Sequence, residues 1–147
     1  MYNWFECKIR YDKMTDNGVQ RTVTESYLID ALSFTEAEAR AIEEMKPFIS
    51  GEFGVANITR KKFSDTFFNE SGDRYYNVRL AFIVLDEKSG SEKKQMVNFL
   101  VQASSVIEAA ELTEVEMKKT MCDYVIVGVT ETAIVDLFPY EKSDSDD

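Results

Sequence analysis

The sequence predicts an α+β protein made of two ββαβ repeats related by a pseudo-two-fold, an antiparallel sheet with two helices packed on it. The main observation is an internal repeat: residues 27–46, YLIDALSFTEAEARAIEEMK, return without a gap 72 residues later as FLVQASSVIEAAELTEVEMK at 99–118. The match resumes after these stretches with a shift of one residue, FGVANIT at 53–59 facing YVIVGVT at 124–130, and Asp65-Thr66-Phe67 facing Asp136-Leu137-Phe138. Two further signals name the element types. Each copy of the long stretch holds an S-x-x-E helix-start signature, Ser33 to Glu36 and Ser105 to Glu108. The segments before it alternate apolar and polar residues with the two-residue period of a half-buried strand. A chain of 147 residues suits two repeats sharing one domain over 1–140, at about 3–68 and 75–138, better than two independent domains. Residues 141–147, EKSDSDD, contain no apolar side chain and are expected to be a disordered acidic tail.

Taken in order, the first strand spans 3–11, where Phe5, Cys7, Ile9 and Tyr11 alternate with Trp4, Glu6, Lys8 and Arg10. Trp4 falls on the charged face, where it either packs under a loop or stays open to a partner. Asp16-Asn17-Gly18 marks a hairpin turn, because Asn and Gly tolerate positive φ, and strand two follows over 21–30. The first helix starts at the Ser33 cap and presents Phe34, Ala37, Ala41, Met45 and Phe48 as one apolar stripe, with Pro47 limiting its run. A third strand begins at Phe53 and is expected to continue or bend through Arg60-Lys61-Lys62 to Phe67. The second copy repeats the plan with strands over 75–85 and 93–101, joined by a turn at 86–92. A helix on the stripe Val106, Ala109, Thr113 and Met117 follows, then a β-branched run over 124–138.

Composition narrows the chemistry. Histidine is absent, which removes Ser-His-Asp and Cys-His catalysis and the usual zinc sites. No phosphate-cradling glycine loop or placed nucleophile occurs, so no catalytic, cofactor-binding or metal-ligating residue is expected. The carboxylates of the two helices read as solvated faces, and Asp65 and Asp136 as strand-end or turn residues. Cys7 and Cys122 are expected to be buried and reduced, the alternative being a bridge between them. Without a membrane-length apolar run or an export signal at the start, a cytoplasmic, non-membrane protein is expected.

Together the segments MYNWFECKIRYDK, ALSFTEAEAR, ISGEF, GDRYY and VNFLVQAS resemble a family of small uncharacterised proteins, a domain of unknown function. That family is found in gut Bacteroidetes and in their phages and mobile elements. The resemblance covers residues 1 to about 140 and implies no activity; a phage or mobile-element setting implies only an association with nucleic-acid work.

Three function classes remain, of which a metal-dependent enzyme built on the carboxylates stands a distant third. One is a non-catalytic binding or assembly module whose partner is a protein, self-association included. The alternative is a single-stranded nucleic-acid-binding protein. It rests on basic residues interleaved with aromatics, Trp4, Lys8, Arg10, Arg60, Lys61, Lys62, Tyr75 and Arg79, since single-strand binders need cations along phosphates and ring faces under bases. Against it stands a net charge of −10, which repels polyanions unless those cations converge on one face.

Overall fold

A computed structural model describes residues 2–140, so the tail expected at 141–147 lies outside the described residues. The strands are β1 (Trp4–Met14), β2 (Gln20–Asp30), β3 (Phe53–Arg60), β4 (Asp65–Phe67), β5 (Arg74–Leu85), β6 (Glu92–Ala103), β7 (Tyr124–Glu131) and β8 (Ile134–Phe138). The helices are α1 (Phe34–Met45) and α2 (Val106–Met117). The α+β class and the ββαβ order of each repeat are as the sequence predicts. The strands divide into two four-stranded sheets, in the orders β3-β1-β2-β8 and β4-β6-β5-β7.

Of the described residues, 2–62 and 133–140 make up the first unit and 63–132 the second. In the first, β1 and β2 form a long antiparallel hairpin whose turn is closed by Gly18 at φ +77° and by the Thr15 N–H donating to the Val19 carbonyl at 2.9 Å. Phe5, Cys7, Ile9, Ile29 and Ala31 line one face of this sheet and meet Ala37, Ala41 and Met45 of α1. In the second unit Gly90, at φ +70°, turns β5 into β6. There Tyr76, Val78, Leu80, Phe99 and Val101 meet Ala109 and Met117 of α2. The four-residue spacing of the buried helix positions is one stripe of an α-helix, and the small Ala side chains let helix and sheet approach closely.

The terminal strands depart from the sequence reading. The stretch after β3 does not continue as one strand: residues 61–64 interrupt it, and β4 joins the other sheet, parallel to β6, with Thr66 opposite Leu100. Reciprocally β8 lies parallel to β2, with Leu137 opposite Leu28. Each repeat therefore gives its last strand to the sheet built from the other repeat. The registers agree: Asp136 sits opposite Tyr27 as Asp65 sits opposite Phe99, and in both places the Asp Oδ1 accepts from the next residue's N–H at 2.8 Å.

The helix stripes are also shorter than expected. Phe34 is 54% exposed, touching the core only through an edge-on contact with the Phe5 ring at 5.0 Å, and Phe48 and Val106 are exposed too. In each helix the apolar residue of the first turn is exposed, and burial begins one turn later, at Ala37 and Ala109.

Candidate protein-docking face

The residues that suggested nucleic-acid binding do not assemble into a stacking platform. Trp4 is 1% exposed, its indole stacked on Tyr2 at 5.0 Å, and Tyr75 is 7% exposed. Neither ring face is open to a base, because strand alternation turns both side chains onto covered parts of their sheets. Lys8 and Arg10 are exposed and share the β1 face turned away from α1. Arg60 lies opposite Phe5 in register, on the helix side, with its guanidinium 6.0 Å from the Phe5 ring. Lys61 pairs with Glu6 at 3.4 Å, Lys62 is exposed, and Arg79 stands on β5 in the second unit. The six cations are thus spread over two faces of one sheet and a strand of another.

A different surface stands out when the two units are compared position by position. The registers equate Arg10, Asp12 and Met14 of β1 with Ala81, Ile83 and Leu85 of β5, and Thr24 of β2 with Met96 of β6. Gly54 and Ala56 of β3 correspond to Val125 and Val127 of β7. The correspondence extends to a β-bulge, since the ladder skips Ala56 between Lys8 and Ile9 and skips Val127 between Arg79 and Leu80. On the side away from the helix, the first unit carries mostly polar or small residues at these places and the second carries apolar ones. Leu85 is 64% exposed, Val127 54% and Val125 47%, with Met96 also exposed and Ile83 half-buried. Beyond Leu85 this strip meets an open depression lined by Val84, Gln95, Met121 and Cys122.

Charged groups frame the strip. By register Glu92 and Lys94 lie beside Leu85 and Ile83 on the β6 side, and Arg79 lies beside Asn98. Asp123 lies beside Ile83 on the β7 side, its carbonyl accepting from the Ile83 N–H at 3.0 Å. Asp86, in the adjoining turn, is held below the usual carboxylate range by the Lys88 N–H and the Ser89 hydroxyl, and Lys93 lies 3.3 Å away. On the helix side, the Tyr124 hydroxyl donates to Glu114, and that hydrogen bond raises its pKa.

Cys7 and Cys122 are both free thiols, but only Cys7 has the burial expected of it; Cys122 is exposed at the end of the segment that follows α2. Burial, reinforced by Glu6 and Glu38, pushes the Cys7 thiol up to about 12. Among the described residues no group of three or more His, Cys, Asp or Glu is placed to hold a metal ion. No described helix is long and apolar enough to cross a membrane.

The apolar strip was within reach of the sequence. The aligned segments FGVANIT and YVIVGVT put Gly54 and Ala56 where the second copy has Val125 and Val127, and the signal lay in comparing the copies, since the β-branched run alone reads as ordinary strand. Against known proteins, a family model described as a domain of unknown function (DUF4494) matches residues 3–140. No curated protein and no solved structure matches.

Proposed function

The chain belongs to the DUF4494 family, a domain of unknown function, and on that premise we propose that it is a non-catalytic binding module that takes a protein partner on the β6-β5-β7 face of its second unit. One observation carries the reading. Two copies of one fold in a single chain act as a control for each other, and the first keeps its sheet intact with Arg10, Asp12, Thr24 and Gly54 where the second has Ala81, Ile83, Met96 and Val125. The apolar side chains are therefore not a requirement of the fold. Ala81 is 1% exposed, but Leu85, Met96, Val125 and Val127 are exposed together and lose favourable free energy to water that a partner's surface would restore, roughly 25 cal/mol for each Å² covered. The setting we infer is the cytoplasm of gut Bacteroidetes or of their phages and mobile elements.

The same equivalence supplies the test. A photo-crosslinking residue at Val125 should give adducts with a defined protein, and the same residue at Gly54, where nothing lies within 4 Å of a built Cβ, should give none. With the crosslinker at position 125, Leu85→Lys and Met96→Lys should abolish the adducts while Met14→Lys leaves them unchanged. Equal crosslinking from positions 54 and 125 would sink the reading.

The single-strand nucleic-acid reading stands second. Its support is Lys8 and Arg10, two exposed cations on one sheet face. Its test is anisotropy of a labelled oligonucleotide at low salt, where Lys8→Ala and Arg10→Ala should each flatten the salt dependence.

A further inference from the structure

We propose that the β6-β5-β7 face is occupied by a second copy of this chain, in a symmetric dimer whose two-fold axis runs along β5; this rests on the docking reading above and names the partner. The inference follows from the layout of the face across the three strands. One row reads Lys94, Ile83, Asp123, and the next reads Met96, Ala81, Val125. A two-fold along the middle strand lays β6 of one copy over β7 of the other. Lys94 then faces Asp123 of the second copy, and Met96 faces its Val125. The reciprocal contacts form on the other side of the axis, while Ile83 and Leu85 lie near the axis and meet their own equivalents. An isologous interface must be self-complementary in this way, each patch meeting itself after rotation. Stacked sheets lie about 10 Å apart, within reach of these side chains from both sides.

Charge supports this occupant. Although the chain carries −10 overall, the face carries Lys94 and Arg79 against Glu92 and Asp123 and is locally near neutral, the cross-axis attraction coming from Lys94 and Asp123 while Arg79, on β5, meets its own equivalent beyond the apolar rows. At physiological salt, screening over about 8 Å leaves the local balance to decide close approach. Among the described residues neither Lys94 nor Asp123 has an ion-pair partner, so each is free to take the other's counterpart across the axis. An apolar centre of a few side chains with two ion pairs belongs to the small, weak class of interface, below about 1,200 Å² in total.

Sedimentation velocity over a concentration series tests the proposal. The wild type should show a reversible monomer–dimer equilibrium in the micromolar range. Lys94→Asp and Asp123→Lys should each weaken it, on the order of tenfold. The double variant Lys94→Asp/Asp123→Lys should recover most of the loss, because the pairs re-form with their signs exchanged. Gly54→Lys should leave dimerisation unchanged, and circular dichroism checks that each variant is folded. A wild type that stays monomeric at several hundred micromolar overturns the proposal, as does a double variant no tighter than the worse single one. If the protein is monomeric while Leu85→Lys still removes crosslinking from position 125 to a different protein, the dimer falls and the docking reading stands. If neither assay responds to the face variants, both fall.

Discussion

Cys7 shows how a single side chain reports its surroundings. It sits at the centre of the first unit's core with its Sγ directed at the Ala37 carbonyl, and its pKa is raised to about 12 chiefly by burial. The thiolate is the reactive species, so Cys7 should resist a thiol reagent at neutral pH while exposed Cys122 reacts. One labelled thiol per native chain and two in denaturant is the expected count by mass spectrometry. The same shift links stability to pH. Between the thiol's ordinary pKa of 9.0 and about 12 the unfolded chain has lost a proton that the folded chain retains, so unfolding free energy falls as pH rises through that window. Tyr11, Tyr27 and Tyr124 are shifted in the same direction and add to the fall. Cys7→Ala should flatten the decline of Tm above pH 9, and an unchanged slope would remove Cys7 from the account. Gly72 is a second such residue. A Cβ there would meet the Ala103 backbone at 2.5 Å, so Gly72→Ala must displace a main chain. We expect a loss in the upper part of the usual range for single substitutions, about 3 kcal/mol, read from urea unfolding.

At the scale of elements, the two helix starts are chemically the same. Ser33 Oγ accepts from the Glu36 N–H at 3.1 Å, and Glu36 reaches back to accept from the Leu32 N–H at 2.7 Å. Ser105 and Glu108 repeat both distances, with Ser104 as the back donor. Ser33→Ala and Ser105→Ala should therefore cost similar amounts, about 1 kcal/mol each, and a difference of several-fold between them in chemical denaturation would contradict the equivalence. These elements were legible in the sequence because their causes are local: a cap needs four consecutive residues, a hairpin needs Asp16-Asn17-Gly18, a strand needs its own alternation. Thr113, fully buried where the first repeat has Ala41, was acceptable on a core stripe because its hydroxyl donates to the Ala109 carbonyl at 2.8 Å. The burial of Trp4 and the exposure of Phe34 were not legible, since each depends on where a sheet ends and what lies over it. The larger departure from the single antiparallel sheet that the sequence predicts is the exchange of terminal strands between two sheets. A three-residue β4 has no period to read, and its parallel partner β6 lies far along the chain. The docking face fell between these cases, its residues visible but their significance apparent only once the registers equated them with polar ones.

For the whole molecule, the governing feature is that β8 completes the sheet of the first unit and β4 that of the second. Removing residues 133–147 should therefore act unevenly: sheet β4-β6-β5-β7 keeps all its strands, while β2 loses the neighbour that covers Leu28 and Ile29 along one edge. Hydrogen exchange should show amide protection falling along β2 and persisting along β5 and β6; equal losses in both sheets would show that the units do not respond separately. The same feature sets an order of events during synthesis. The second unit's strands and helix are contiguous in the chain, so that unit can close as soon as it emerges from the ribosome. The first unit emerges earlier yet waits for a strand made after the second is finished. During that interval the edge of β2 is uncovered, and an open strand edge is where nascent chains on neighbouring ribosomes pair wrongly. Translation speed across residues 63–132 thus becomes a determinant of yield, with slow codons there lengthening the exposure of β2 and fast ones shortening it.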